Sequence, residues 1–290
     1  MIQSQRIAIY GVGLIGGSVA LALRAAGYEG TILGFGRRES ELTRAVALGV
    51  IDEFSTEADK IAANADLHLL CVPVLAMESV LAAIARVCRD DAVITDVGST
   101  KQSVIAAARR AFGALPSGFV PAHPIAGTER TGVAAAFPEL YRERLAILTP
   151  TAQSAESALR EVEQLWRACG ARTIRMAADH HDDVLAATSH LPHMLAFALV
   201  EMLATRPDHD EIFMYAAGGF RDFTRIASSS PAMWHDIIRA NAGPVRDLLQ
   251  QQIAELQHLL QLLQADDWAG LQVVFERARR ARERHLSEIE

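Results

Sequence analysis

His123, in the run His123-Pro124-Ile125-Ala126-Gly127-Thr128-Glu129, and the segment Asp96-Val97-Gly98-Ser99-Thr100-Lys101 hold the side chains best suited to chemistry. An imidazole accepts a proton near neutral pH, which is what oxidation of an alcohol by hydride transfer requires. A histidine in a loop is more often a satisfied structural residue, so the weight given to His123 depends on whether the chain also holds a hydride acceptor. Tyr10-Gly11-Val12-Gly13-Leu14-Ile15-Gly16 answers that need: it is G-x-G-x-x-G between a strand-like and a helix-like run. Gly11 permits the tight turn, Gly13 lets backbone N–H groups approach a pyrophosphate, Leu14 and Ile15 complete the cradle, and Gly16 lets helix and strand pack closely.

The end of the second strand selects the dinucleotide, because an acid there binds a ribose 2′-hydroxyl whereas an arginine meets a 2′-phosphate. Gly34-Phe35-Gly36-Arg37-Arg38 lacks the acid and offers two guanidiniums, so NADP is favoured and NAD is the alternative. The plainer reading makes Arg37 and Arg38 exposed charges opening the next helix. Val72 and Pro73, closing a third strand-like run, are counted with the cofactor contacts.

The elements that must position these groups follow from the apolar pattern. Short β-prone runs at 6–10, 31–35, 67–72 and 92–96 alternate with helical stretches, which implies parallel βαβ units. Runs at 118–122, 145–148 and 172–176 extend the series, with a helix over 154–168. Beyond residue 177 the pattern is helical, broken at Pro207, Gly218-Gly219, Pro231 and Gly243-Pro244. The expected fold is α/β, an N-terminal Rossmann-type dinucleotide-binding domain over 1–176 joined to a C-terminal all-helical dimerisation and substrate domain over 177–290. Leu249, Ile253, Leu256, Leu260 and Leu263 alternate steps of four and three, the seam of a homodimeric coiled-coil-like helix or the inner face of an ordinary core helix.

Half of the 290 residues are apolar, enough for two cores, and a net charge of −7 leaves no basic footprint for nucleic acid. Cys71, Cys88 and Cys169 form no CxxC pair, so neither a disulfide framework nor a thiolate metal site is expected, and a reducing cytoplasm fits. No membrane span is expected either: the uncharged stretch 7–23 is broken by glycines, and Glu201 interrupts 195–204.

GVGLIGGS, DVGSTK and HPIAGTE occur in order with TSHLPH at 188–193 and GGFRDFTRIASSSPAMW at 218–234. Together they resemble the prephenate/arogenate (cyclohexadienyl) dehydrogenase family over essentially the whole chain. The resemblance implies oxidative decarboxylation of a cyclohexadiene to a phenol in tyrosine biosynthesis, with hydride passing to NAD(P)+. On it, His123 matches the histidine that accepts the 4-hydroxyl proton, and Ser99 the serine that hydrogen-bonds that hydroxyl. Arg225 matches the arginine that anchors a substrate carboxylate, held by acids at Glu129 and Asp222, with Thr128 beside them. His190 and His193 match substrate-pocket histidines, and Trp234 a residue that reaches the pocket, with a second subunit as one source. Tyrosine inhibition, where present, is expected at the active site.

Other readings have less support. His180, His181, Asp182 and Asp183 with His190 and His193 could be metal ligands, but no HExxH-type spacing accompanies them, and no metal is expected. β-Hydroxyacid dehydrogenases resemble one another in using a catalytic lysine in the second domain, and this chain has no lysine after Met176. A homologue oxidising 4-amino-4-deoxyprephenate, or a non-catalytic NADP(H) sensor, remains as the alternative; a sensor would not need His123, Ser99 and Arg225 together. His68, inside an apolar strand, is expected to be a packed core residue.

Overall fold

The computed structural model describes residues 2–128 and 130–286. Five strands, β1 (Arg6–Tyr10), β2 (Thr31–Phe35), β3 (Glu53–Ser55), β4 (Leu67–Leu70) and β5 (Val93–Asp96), form a parallel sheet in the order β3-β2-β1-β4-β5. Successive side chains of a strand face opposite sides, and here both sides are apolar because both are covered. Ile7 and Ile9 of β1 enter one core with Val19 and Leu23 of α1 (Leu14–Ala25). Ala8 and Tyr10 enter the other core, with Leu81 and Ile84 of α4 (Met77–Val87) and Val104 of α5 (Gln102–Phe112). The connecting helices α2 (Glu39–Ala47) and α3 (Ala58–Ala62) complete the crossovers. β3 is absent from the sequence reading, since three residues on an edge, with Glu53 exposed, carry no alternation to detect.

A second sheet holds β6 (Ala122–Pro124), β7 (Leu145–Leu148) and β8 (Arg172–Arg175), with β6 antiparallel to β7 and β7 parallel to β8; α6 (Glu156–Ala168) links the last two. The expected strand over 118–122 is corrected here. Phe119 makes one parallel bridge to Ile94 of β5, and the ladder to β7 begins only after Pro121, which has no N–H to give. His123 therefore lies within a strand, opposite Ile147, and not in a loop. The bridge also fixes direction: residues 118–124 run parallel to β5, so His123 sits at the same carboxyl end of the sheet as the glycine turn.

Among the described residues no strand follows β8. The helices are α7 (Ala178–Leu185), α8 (Leu191–Ala204), α9 (His209–Met214), α10 (Gly218–Thr224), α11 (Pro231–Ala240), α12 (Ala242–Gln264) and α13 (Trp268–Leu286). A π-helical stretch, Ala186–His190, joins α7 to α8, so residues 178–204 form one continuous helix, long and apolar enough by length and composition to cross a bilayer. Glu201 does not interrupt it. Its role in the fold is set by His181, Asp182 and His190, which are buried on it in the polar cluster described below. A 3₁₀ turn, Arg225–Ser228, follows α10, and α11 starts with Pro231 after the Ser230 cap.

The chain divides into two compact units, residues 1–242 and 243–290. In the second, Ile253, Leu256, Leu260 and Leu263 are 47, 52, 53 and 47% exposed, so among the described residues of this unit the stripe on α12 is half-exposed and is not a covered core face.

Candidate active site

The glycine turn separates what the protein needs from what a ligand needs. Gly11 has φ +104°, and a Cβ there would lie 2.6 Å from the Cys71 carbonyl oxygen. A Cβ on Gly16 would lie 2.4 Å from the Gly11 carbonyl oxygen and 2.7 Å from Ile9 Cγ2. Gly13, the N-cap residue of α1, would send a Cβ into open space. Packing therefore accounts for Gly11 and Gly16 but not Gly13. The space Gly13 leaves lies over the unfilled N-terminus of a 12-residue helix with no side-chain cap and no acid in its first turn, where the N–H groups of Leu14 and Ile15 and the helix dipole favour a phosphate group.

The loop after β6 holds this helix in place: the Tyr141 hydroxyl donates to the Ile15 carbonyl (2.7 Å) and Phe137 N–H donates to Ser18 Oγ (3.0 Å). Val72 and Pro73 follow β4 beside Gly11, half-buried and exposed respectively. Arg37 and Arg38 are exposed past the end of β2, with Arg38 at the N-cap position of α2.

The second half of the site is a polar cluster sealed from water. Asp96 and Lys101, both wholly buried, form an ion pair. Lys101 Nζ donates to the Ala122 carbonyl (2.6 Å), and Asp96 Oδ1 accepts the Ala122 N–H (3.1 Å) while its Oδ2 accepts the Gly98 N–H (2.8 Å). The ends of DVGSTK thus grip both backbone groups of the residue before His123 and close the loop carrying Ser99. Burial lowers the Lys101 pKa and the Asp96 carboxylate opposes that, so the pair holds only while both partners stay buried together.

His123 is itself buried, with Nδ1 2.9 Å from Nε2 of His181, whose Nδ1 is 2.9 Å from Asp182 Oδ1. Asp182 also accepts the N–H groups of Lys101 (2.7 Å) and Gln102 (2.9 Å), so a carboxylate 81 residues away caps α5. Burial pushes the Asp182 pKa up, but the hydrogen bonds from His181 and from these two N–H groups outweigh it and leave the carboxyl below its ordinary value. Burial, with the charges of His181, Lys101 and His190, holds the His123 imidazole well below the usual range, so it is neutral at pH 7.

Asn241 joins the helices: its Nδ2 donates to the Asp182 carbonyl (2.8 Å) and lies 3.1 Å from His190 Nδ1. An amide nitrogen only donates, so Nδ1 of His190 is the acceptor and Nε2 bears the proton. That Nε2–H is buried and faces the Ser99 backbone without closing a normal hydrogen bond; burial brings the His190 pKa down to about 4. His193 donates through Nδ1 to the Ser189 carbonyl (2.8 Å), stacks on Trp234 with ring centroids 3.5 Å apart, and feels the charge of Arg225. The π-helical stretch between α7 and α8 widens the turn so that His181, His190 and His193 all serve this cluster.

His123, Ser99, His190, His193, Trp234 and Arg225 are thus brought together from five separate stretches of chain. Trp234 reaches the cluster within its own chain, so a second subunit is not needed to supply it. Thr128 and Asp222 are exposed, the Thr128 hydroxyl accepting the Arg130 N–H (3.2 Å), and Glu129 lies outside the described residues. His68 is buried in the core, its Nδ1 3.0 Å from the Tyr10 hydroxyl. Among the described residues no three His, Cys, Asp or Glu side chains gather as metal ligands, and His181 and Asp182 engage His123 and α5.

A nucleotide cradle and a neutral buried histidine at one end of a parallel sheet define a dinucleotide-dependent oxidoreductase. The chain matches the prephenate dehydrogenase nucleotide-binding domain over residues 19–175 and the prephenate dehydrogenase dimerization domain over residues 177–277, and it belongs to the prephenate dehydrogenase family. It is 40% identical to the cyclohexadienyl dehydrogenase of Zymomonas mobilis across 96% of this chain and 95% of that one. It is similar in structure to Aquifex aeolicus prephenate dehydrogenase, crystallised with hydroxyphenyl propionate and NAD+ (TM-score 0.90, 35% identity, 99% and 98% coverage). It also resembles Synechocystis arogenate dehydrogenase (TM-score 0.80, 27% identity, 97% and 100% coverage).

Proposed function

We propose that this enzyme oxidises and decarboxylates a 4-hydroxycyclohexadiene, prephenate or L-arogenate, giving 4-hydroxyphenylpyruvate or L-tyrosine and CO2, with His123 as the base. The observation that carries the reading is a neutral, buried His123 fixed by backbone clamps at the carboxyl end of a sheet whose glycine turn leaves room for a pyrophosphate. When bound, the nicotinamide ring accepts the hydride from C4 of the substrate. His123 takes the 4-hydroxyl proton as C4 becomes a carbonyl carbon, and Ser99 hydrogen-bonds the same hydroxyl. The C1–COO− bond then breaks, its electron pair entering the ring while the C4 oxygen regains a proton, and the ring becomes aromatic. Arg225, whose guanidinium can bind a carboxylate with two parallel hydrogen bonds, holds the side-chain carboxylate beside His193. Trp234 and His193 form an apolar wall, and burial of the cluster excludes water.

Residues 1–176 on this reading bind cofactor and residues 177–290 complete the substrate site and pair two copies, the half-exposed stripe on α12 being the natural contact. Arg37 and Arg38, exposed where an acid would otherwise meet a ribose, support a preference for NADP+, and their joint replacement by alanine should erase it. Tyrosine carries the hydroxyphenyl ring of either product, so where it inhibits it acts at the active site and competes with the cyclohexadiene. The test is kcat/KM for prephenate and L-arogenate, each with NAD+ and NADP+. Turnover in any of the four combinations establishes the reaction and the best one names the pair, whereas binding of cofactor with no turnover in all four refutes it.

A further inference from the structure

His123, His181 and Asp182 line up, and with His181 neutral only one arrangement of their protons satisfies them all. An ionised carboxylate accepts and cannot donate, so Asp182 Oδ1 takes its hydrogen bond from Nδ1–H of His181. A neutral His181 then has its lone pair on Nε2, and the 2.9 Å contact requires Nδ1–H of His123 to donate to it. What is left on His123 is a lone pair at Nε2. Asp182 stays ionised because its two oxygens also accept the N–H groups of Lys101 and Gln102 at the positive end of α5, so the order of protons is anchored by a helix terminus.

We propose that His181 and Asp182 are positioning residues that fix the tautomer of His123, making Nε2 the atom that takes the substrate proton. The inference deepens the assignment of His123 as the base. When Nε2 takes the hydroxyl proton, His123 becomes an imidazolium whose Nδ1–H still donates to His181, and the charge is held by the Asp182 carboxylate two hydrogen bonds away; no proton needs to move along the chain. Lys101 and His190 are the other titratable groups facing His123, and both, like His181 itself, disfavour its charged form; the Asp182 carboxylate is connected to it only through His181. Neither His181 nor Asp182 touches substrate.

The test reads the tautomer directly. In 15N–1H spectra of the full-length enzyme at pH 7, with the His123 signals assigned by comparison with His123→Asn, the proton of His123 is expected on Nδ1. In His181→Phe nothing accepts that proton, so His123 samples both tautomers and kcat should fall by about 10²-fold with cofactor affinity within twofold of wild type. His181→Gln, which returns an acceptor oxygen, should recover much of the loss; a merely structural role would not distinguish Phe from Gln this way. A wild-type spectrum with the proton on Nε2, or a Phe variant with wild-type kcat, overturns the proposal. An enzyme silent toward both cyclohexadienes yet showing Nδ1–H would support the tautomer assignment and overturn the proposed substrate, so the two failures are distinguishable.

Discussion

The glycine turn and the histidine cluster lie at the same end of one sheet, but the sequence encodes them in different ways. In the turn the demand is local: six consecutive positions, 11–16, decide backbone conformation, close packing and the space left over, and each glycine has a reason within a few residues of itself. The cluster has no such economy of distance. His123 is held by Lys101, Asp96, His181 and, through Asp182, by the start of α5, contacts that span 21 to 81 residues of chain. A short motif can therefore announce a cofactor site by itself, whereas a catalytic base is announced by residues that look ordinary where they stand.

The difference can be broken or sharpened by substitution, beginning with the largest effect. His123→Asn should lower kcat by about 10²–10⁴-fold while leaving cofactor affinity within twofold, by steady-state kinetics and cofactor titration. Near-normal turnover would put the base elsewhere. Lys101→Met leaves Asp96 a buried, unpaired carboxylate and should cost about 3–5 kcal/mol of stability in urea unfolding. A loss below 1 kcal/mol would show that the pair is not the clamp described here.

The turn makes a finer prediction. Gly16→Ala must push against backbone at 2.4 Å and should destabilise the fold by about 1–3 kcal/mol, while Gly13→Ala meets nothing in the protein and should leave stability unchanged yet weaken cofactor binding. Equal effects of the two on stability would contradict the division of roles among the glycines.

The smallest effect is a gradual one with pH. Burial lowers the pKa of His68 and His190 to about 4 and those of His123, His181 and His193 below the ordinary value. The unfolded histidines take up protons first, so stability present above pH 6.5 is lost as pH falls toward 4. Urea midpoints at pH 7 and pH 5 check the sign: the midpoint should be lower at pH 5.

Much of this was legible in the sequence. Six of the eight strands show as apolar runs, the glycine turn as a motif, and His123, His190, His193, Arg225 and Trp234 through family resemblance; the run over 118–122 pointed to a strand but missed where β6 begins. β3 escaped because three edge residues carry no pattern. His181 and Asp182 entered the sequence reading only as metal ligands weighed and set aside, because only the fold shows that one accepts from the other and both back onto β6 and α5. They lie in the polar run Asp179-His180-His181-Asp182-Asp183, and nothing local singles out these two from their neighbours. Lys101, one of two lysines in the chain, did carry a signal: a long cation five residues after an acid, in a loop with no other charge. Asn241 gave none, since its partners are a backbone carbonyl and a histidine 51 residues away.

The central claim is that a neutral, buried His123 takes the substrate proton, and the pH dependence of kcat tests it most directly. With the best substrate and cofactor pair, the wild-type acid limb should reflect one group titrating below pH 6.5, and that limb should vanish in the residual activity of His123→Asn. An acid limb that survives unchanged in His123→Asn would contradict it.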